Sequence, residues 1–129
     1  MIGVSERVRS HRDLVVWKKA MDLVDAVYRR MAKLPQRETY GLWSQLTRAA
    51  VSVPANIAEG RARSTGKDFA NFLSIARSSL MEMDTLVTVA KRQQYIDGAA
   101  EAQLLSQIEE VSKMLSSLRR RIVSKGGSS

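Results

Sequence analysis

The chain has 129 residues, 44% of them hydrophobic, and a formal charge of +8 from 21 Lys and Arg against 13 Asp and Glu, which suits one folded core and excludes full disorder. No cysteine is present and only one histidine, so disulfides, zinc–thiolate sites, thiol nucleophiles and two-histidine motifs are excluded. Seven glycines and two prolines are too few for a many-turned β-sandwich or barrel, and 5% aromatics argue against a stacking platform for single-stranded nucleic acid.

Residues 1–12 read as a basic arm. Met1 to Val4 is followed at once by charge at Glu6 and Arg7, so no secretory signal is expected. The longest uncharged stretch, Ala49 to Ala58, is far shorter than the roughly 20 residues that span a bilayer. The expectation is a cytoplasmic protein.

The first helix is expected from about Asp13, its cap, to Leu34, where Pro35 disfavours further helix. Trp17, Ala20, Met21, Val24, Val27, Tyr28 and Met31 recur every three or four residues and share one face. Leu14, Val15, Val16, Leu23 and Leu34 lie off it, and this wide stripe implies burial on a second side. The second helix is expected from about Arg37 to Arg61, with Leu42, Leu46, Ala49, Val53, Ile57 and Gly60 in register straight past Pro54. That proline removes a donor and crowds the Ala50 carbonyl, so a kink is expected; a break with Ser52 as a new cap competes with it.

Thr65, with Asp68 three residues on, opens the third helix in the manner of a capping box. Phe69, Phe72, Leu73, Ala76, Leu80, Met83, Val87 and Ala90 form its stripe. After a link at about Gln93 to Asp97, Leu104, Ile108, Val111, Leu115, Leu118 and Ile122 mark the fourth helix. Residues 124–129 read as a flexible tail. The fold expected over 13–123 is all-α: an up-down-up-down antiparallel four-helix bundle with a proline-kinked second helix.

Alternating helices sort the charges by end. One end gathers Arg7, Arg9 and Arg12 with Arg61, Arg63, Lys67, Arg119, Arg120, Arg121 and Lys125, against Glu6, Asp13, Glu59 and Asp68. The other carries Arg29, Arg30, Lys33, Arg37, Lys91 and Arg92, with Glu38, Asp97 and Glu101. Cations in last helical turns favour the helix dipole by about 0.3–1 kcal/mol each, which accounts for many of these positions but not for the surplus. A polyanion-binding end and a merely solubilising charge both remain open.

Residue-level support for catalysis is missing. His11 lies in the basic arm and suits solvent or a phosphate, no Glu-x-x-His pair builds a di-iron site, and Asp22 with Asp25 lack further ligands. Neither a Walker loop nor a Gly-x-Gly-x-x-Gly motif occurs. No catalytic residue, metal or cofactor is therefore expected. The unusual stretch is Ser52 to Gly60, where Asn56 and Glu59 share a face and Glu59 can pair with Arg63. It reads as a kinked helix whose polar groups satisfy the carbonyl freed by Pro54 and hold a neighbouring helix, or else as a ligand pocket.

Ser52, Pro54 and Asn56-Ile57-Ala58-Glu59-Gly60 resemble the signature of the four-helix-bundle family encoded in rRNA intervening sequences. So do Leu14, Trp17, Ala20, Leu34-Pro35, Glu38, Gly41-Leu42, Gln45, Phe69, Phe72, Ala76, Ser79, Glu82 and Tyr95-Ile96. Ser78 departs from a glycine of many relatives. The family is related to the accessory variability protein of diversity-generating retroelements. The resemblance implies a homopentameric ring and, for the retroelement members, binding to nucleic acid and a reverse transcriptase. The expected function is a non-enzymatic, oligomeric protein that binds RNA or DNA through Arg61, Arg63, Lys67, Arg119, Arg120, Arg121 and Lys125. A protein–protein adaptor without nucleic acid is the alternative.

Overall fold

The computed structural model describes residues 10–128. Four helices dominate: α1 (Val15–Arg30), α2 (Ser44–Arg61), α3 (Gly66–Arg92) and α4 (Gly98–Ser128), with no strand among the described residues. Each packs on its neighbour in sequence, and α1 closes the ring of contacts on α4. The directions alternate. Ser52 of α2 meets Ser79 of α3 and Gly60 meets Phe72, so one residue number rises as the other falls. This is the expected antiparallel four-helix bundle.

Leu46, Val53, Ile57, Leu73, Leu80, Met83, Leu104, Ile108 and Leu115 are almost wholly removed from water. Each contributes about 1.5–3 kcal/mol of apolar burial. The stripes read for α2, α3 and α4 face this interior. That of α1 is rotated. Val16 and Leu23 are buried at 4% and 1% exposure, whereas Met21 and Tyr28, expected inside, are 37% and 44% exposed. Each pair is spaced seven residues, two helical turns, so either register fits the apolar pattern. Tyr28 instead packs edge-on against Trp43, ring centroids 5.4 Å apart, on the flank between α1 and α2. Of the apolar residues read as lying off the α1 stripe, Val16 and Leu23 lie inside the single chain, and Val15 is exposed.

The helix ends obey local chemistry. A short 3-10 turn, His11–Asp13, capped by the Ser10 hydroxyl, precedes α1, and Leu14 rather than Asp13 is the residue before the helix. The backbone of α1 ends at Arg30, a turn earlier than expected, and a 3-10 turn (Gln36–Glu38) and a wide turn (Thr39–Trp43) lead into α2. Pro54 sits buried within an unbroken α2, so no new helix starts at Ser52. The non-helical point in this arm is Gly41 (φ −110°, ψ −107°). The Thr65 hydroxyl accepts from the Asp68 amide at 3.2 Å, and Asp97 accepts from the Ala100 amide at 2.8 Å. The backbone stays helical to Ser128, five residues into the expected tail. Residues 1–9 of the expected arm and Ser129 lie outside the described residues.

Two backbone positions are demanding. Gln94 holds a left-handed φ of 63° while its amide bonds to the Lys91 carbonyl and that of Tyr95 to the Ala90 carbonyl, closing α3 with a Schellman turn. At Gly60 a Cβ would lie 2.7 Å from Phe72 Cβ and 2.9 Å from Phe69 Cδ1. Replacing the exposed Gln94 with glycine is expected to stabilise by about 1 kcal/mol, because glycine enters the left-handed region without steric cost. Gly60→Ala is expected to destabilise by about 1–3 kcal/mol through overpacking. Urea titration of the two variants measures both.

Candidate nucleic-acid interface

Three chain segments meet at the end of the bundle where α2 stops, α3 starts and α4 runs out. Arg119 Nε donates to the Ala70 carbonyl at 3.3 Å, and a Cβ on Gly66 would lie 3.2 Å from Ile122 Cγ2. The last turns of α4 are thereby fixed against the first turn of α3. On the other flank, Leu14, Val15 and Val16 share an open, mainly apolar groove of about 370 Å³ with Met114, Leu118 and Arg121. The α2–α3 turn and the last turns of α4, which topology assigns to one pole, are therefore neighbours in space, whereas Arg7 and Arg9 lie outside the described residues.

Their chemical states differ. Arg63 pairs with Glu59 at 2.9 Å and lies over the Phe72 ring, 4.8 Å from its centroid. Arg119 is half-buried and committed to Ala70. Arg61 is half-buried and Lys125 exposed, and both have partners of their own. Lys67, Arg120 and Arg121 are exposed, and no described carboxylate pairs with them. Asp68 presents only its backbone amide to the Thr65 cap, and Glu59 is taken by Arg63. His11 and Arg12 both pack on Trp17, at 5.1 Å and 5.4 Å between centres, so the imidazole is part of an aromatic stack.

The Ser52–Gly60 segment forms a polar seam between α2 and α3. Asn56 Nδ2 donates to the Ser52 carbonyl at 2.8 Å and to Ser52 Oγ at 2.9 Å, and Ser52 Oγ shares a proton with Ser79 Oγ at 2.8 Å. Asn56 thus serves the Ser52 carbonyl and not that of Ala50, the one deprived by Pro54. The neighbouring helix is held, as expected, through Ser79. An open groove of about 360 Å³ beside this seam is lined by Gln45, Arg48, Ala49, Ser52, Ser79 and Glu82. Reading α2 alone leaves Ser79 out of the site; its matching polarity in the opposite register of α3 is the signal that locates it.

At the far end Glu38 ties the two connections together. One carboxylate oxygen accepts from the Leu42 amide at 3.1 Å and the other from the Tyr95 hydroxyl at 3.0 Å. Asp22 and Asp25 are exposed, and no group of three or more His, Asp or Glu among the described residues is placed to hold a metal. Along the middle of α4 the exposed Glu109–Lys113 hydrogen bond holds Glu109 below the usual carboxylate range and raises Lys113. No described helix is long and apolar enough to cross a membrane.

The sequence model of the 23S rRNA-intervening sequence protein family matches residues 12–117. The chain belongs to that family. Its fold is similar to that of a protein of unknown function from the S23 ribosomal protein family of Bacteroides thetaiotaomicron. The TM-score is 0.75 at 24% identity, over 81% of this chain and 98% of that one. No curated protein matches.

If the seam is a cooperating network, Ser52→Ala and Ser79→Ala each lower stability, and the double variant loses less than their sum. A double-mutant cycle is expected to give a coupling of about 0.5–1.5 kcal/mol, the net worth of a partly buried hydrogen bond.

Proposed function

We propose that this family member is a non-enzymatic, oligomeric protein that binds the phosphate backbone of RNA or DNA through the pole formed by α2, α3 and α4. The observation that carries the reading is the set Lys67, Arg120 and Arg121, exposed at one end without carboxylate partners among the described residues. Arg63 and Arg119 support the pole from beneath, one on Phe72 and one on the Ala70 carbonyl. Such cations displace condensed counterions from a polyanion, which drives binding without reading sequence. Several copies in one assembly repeat the pole and raise the local potential.

A second reading, an adaptor for another protein or for further copies, draws on exposed apolar side chains of α2 and α3: Val51, Ile75, Met81 and Val89 are 38–51% exposed.

Binding of generic duplex DNA and RNA across a salt series tests the first reading. On duplex, log K falls with log salt by about 0.9 per phosphate neutralised. Replacing Lys67, Arg120 and Arg121 with alanine is expected to reduce that slope by roughly three, Arg119 being left in place because it holds α3 to α4. No binding at low salt, or an unchanged slope in the triple variant, overturns the reading. A protein partner retained after nuclease treatment, with no direct binding, supports the adaptor.

A further inference from the structure

The opposite end of the bundle is basic as well. There α1 and α3 end, bringing Arg29, Arg30, Lys33, Arg37, Lys91 and Arg92 against only Glu38, Asp97 and Glu101. Two of these carboxylates are consumed by the fold: Glu38 by the Leu42 amide and the Tyr95 hydroxyl, Asp97 by the Ala100 amide. Arg29 and Lys33 are exposed and pair with no described carboxylate.

With Arg30 they line one open groove of about 300 Å³, whose remaining walls include Tyr95, Ile96 and Asp97. Arg30 Nε donates to Gln103 Oε1 at 2.7 Å, which steadies the guanidinium and leaves its terminal nitrogens without a described partner. The dipole of α1 accounts for Arg29 and Arg30 in its last turn. It does not account for Lys33, which stands beyond the helix end on the same groove.

Between the two ends the positive charge is cancelled. Asp22, Asp25, Glu82, Asp84, Glu109 and Glu110 there offset Lys18, Lys19, Arg48, Arg77 and Lys113 and leave the waist one negative charge from neutral, with Lys19 and Lys113 paired with Glu110 and Glu109. The positive potential is thus split into two caps rather than spread along a continuous track. The 27 residues of α3 separate the caps by about 40 Å, several Debye lengths at physiological salt, so polyanions on the two caps scarcely repel each other.

We infer that the bundle bridges two nucleic-acid segments, the groove of Arg29, Arg30 and Lys33 being a second backbone-phosphate site. The inference rests on the polyanion reading of the first pole. One duplex is immobilised on beads, loaded with protein, washed, and offered a second, fluorescent duplex. Wild-type protein is expected to capture the second duplex. Arg29→Glu with Lys33→Glu is expected to abolish capture and to halve the duplex-to-chain ratio at saturation. Neutral Arg29→Gln with Lys33→Gln is expected to give an intermediate loss, with circular dichroism reporting the helical fold of both. Equal capture by the charge-reversed and wild-type proteins overturns the second site. Binding of the first duplex without capture of a second overturns bridging alone, whereas failure to bind the first overturns both readings.

Discussion

The bundle depends on how closely α2 and α3 approach at Gly60. With no side chain there, the α2 backbone rests directly against Phe69 and Phe72, and any Cβ would collide with both. This contact fixes the register that brings Ser52 opposite Ser79, and the Asn56–Ser52–Ser79 hydrogen bonds then satisfy a seam that would otherwise hold unpaired polar groups. It also places the α2–α3 turn, and so Arg63 and Lys67, beside the last turns of α4. Packing and charge placement share one origin.

The electrostatic character of both ends follows from what the carboxylates are already doing. Glu59 neutralises Arg63, Glu38 closes the turn into α2 and anchors Tyr95, and Asp97 caps α4. A carboxylate committed to an amide still contributes charge, yet it is held toward the backbone rather than paired with an arginine. Lys67, Arg120 and Arg121 at one end and Arg29 and Lys33 at the other pair with no described carboxylate, while Lys19 and Lys113 at the waist meet Glu110 and Glu109. Alternating helix direction turns a sequence with evenly scattered Lys and Arg into a molecule with two basic caps.

Much of this was legible in the residues. Apolar spacing in α2, α3 and α4 located the core, Thr65 located a helix start, and alternation located the first pole. The face of α1 was not legible, because its stripe is wide enough for two overlapping registers and only the position of Trp43 decides that Tyr28 lies outside. Pro54 was the visible irregularity of the second helical arm, but the non-helical backbone sits at Gly41, where the chain turns between the 3-10 segment and α2. The groove of Arg29, Arg30 and Lys33 was hidden by a sufficient local explanation, the α1 dipole. Only the three-dimensional position of Lys33 and the engagement of Glu38 and Asp97 show what that explanation leaves over.

The central claim is that two basic caps, separated by a nearly neutral waist, contact phosphate. Lysine-reactive footprinting with and without duplex, read by mass spectrometry, tests it most directly, since Lys33, Lys67, Lys18 and Lys113 are all exposed in the single chain. The account predicts that duplex protects Lys67 at one cap and Lys33 at the other while Lys18 and Lys113 stay reactive. Protection of the waist lysines, or reactivity unchanged at both caps, would contradict it.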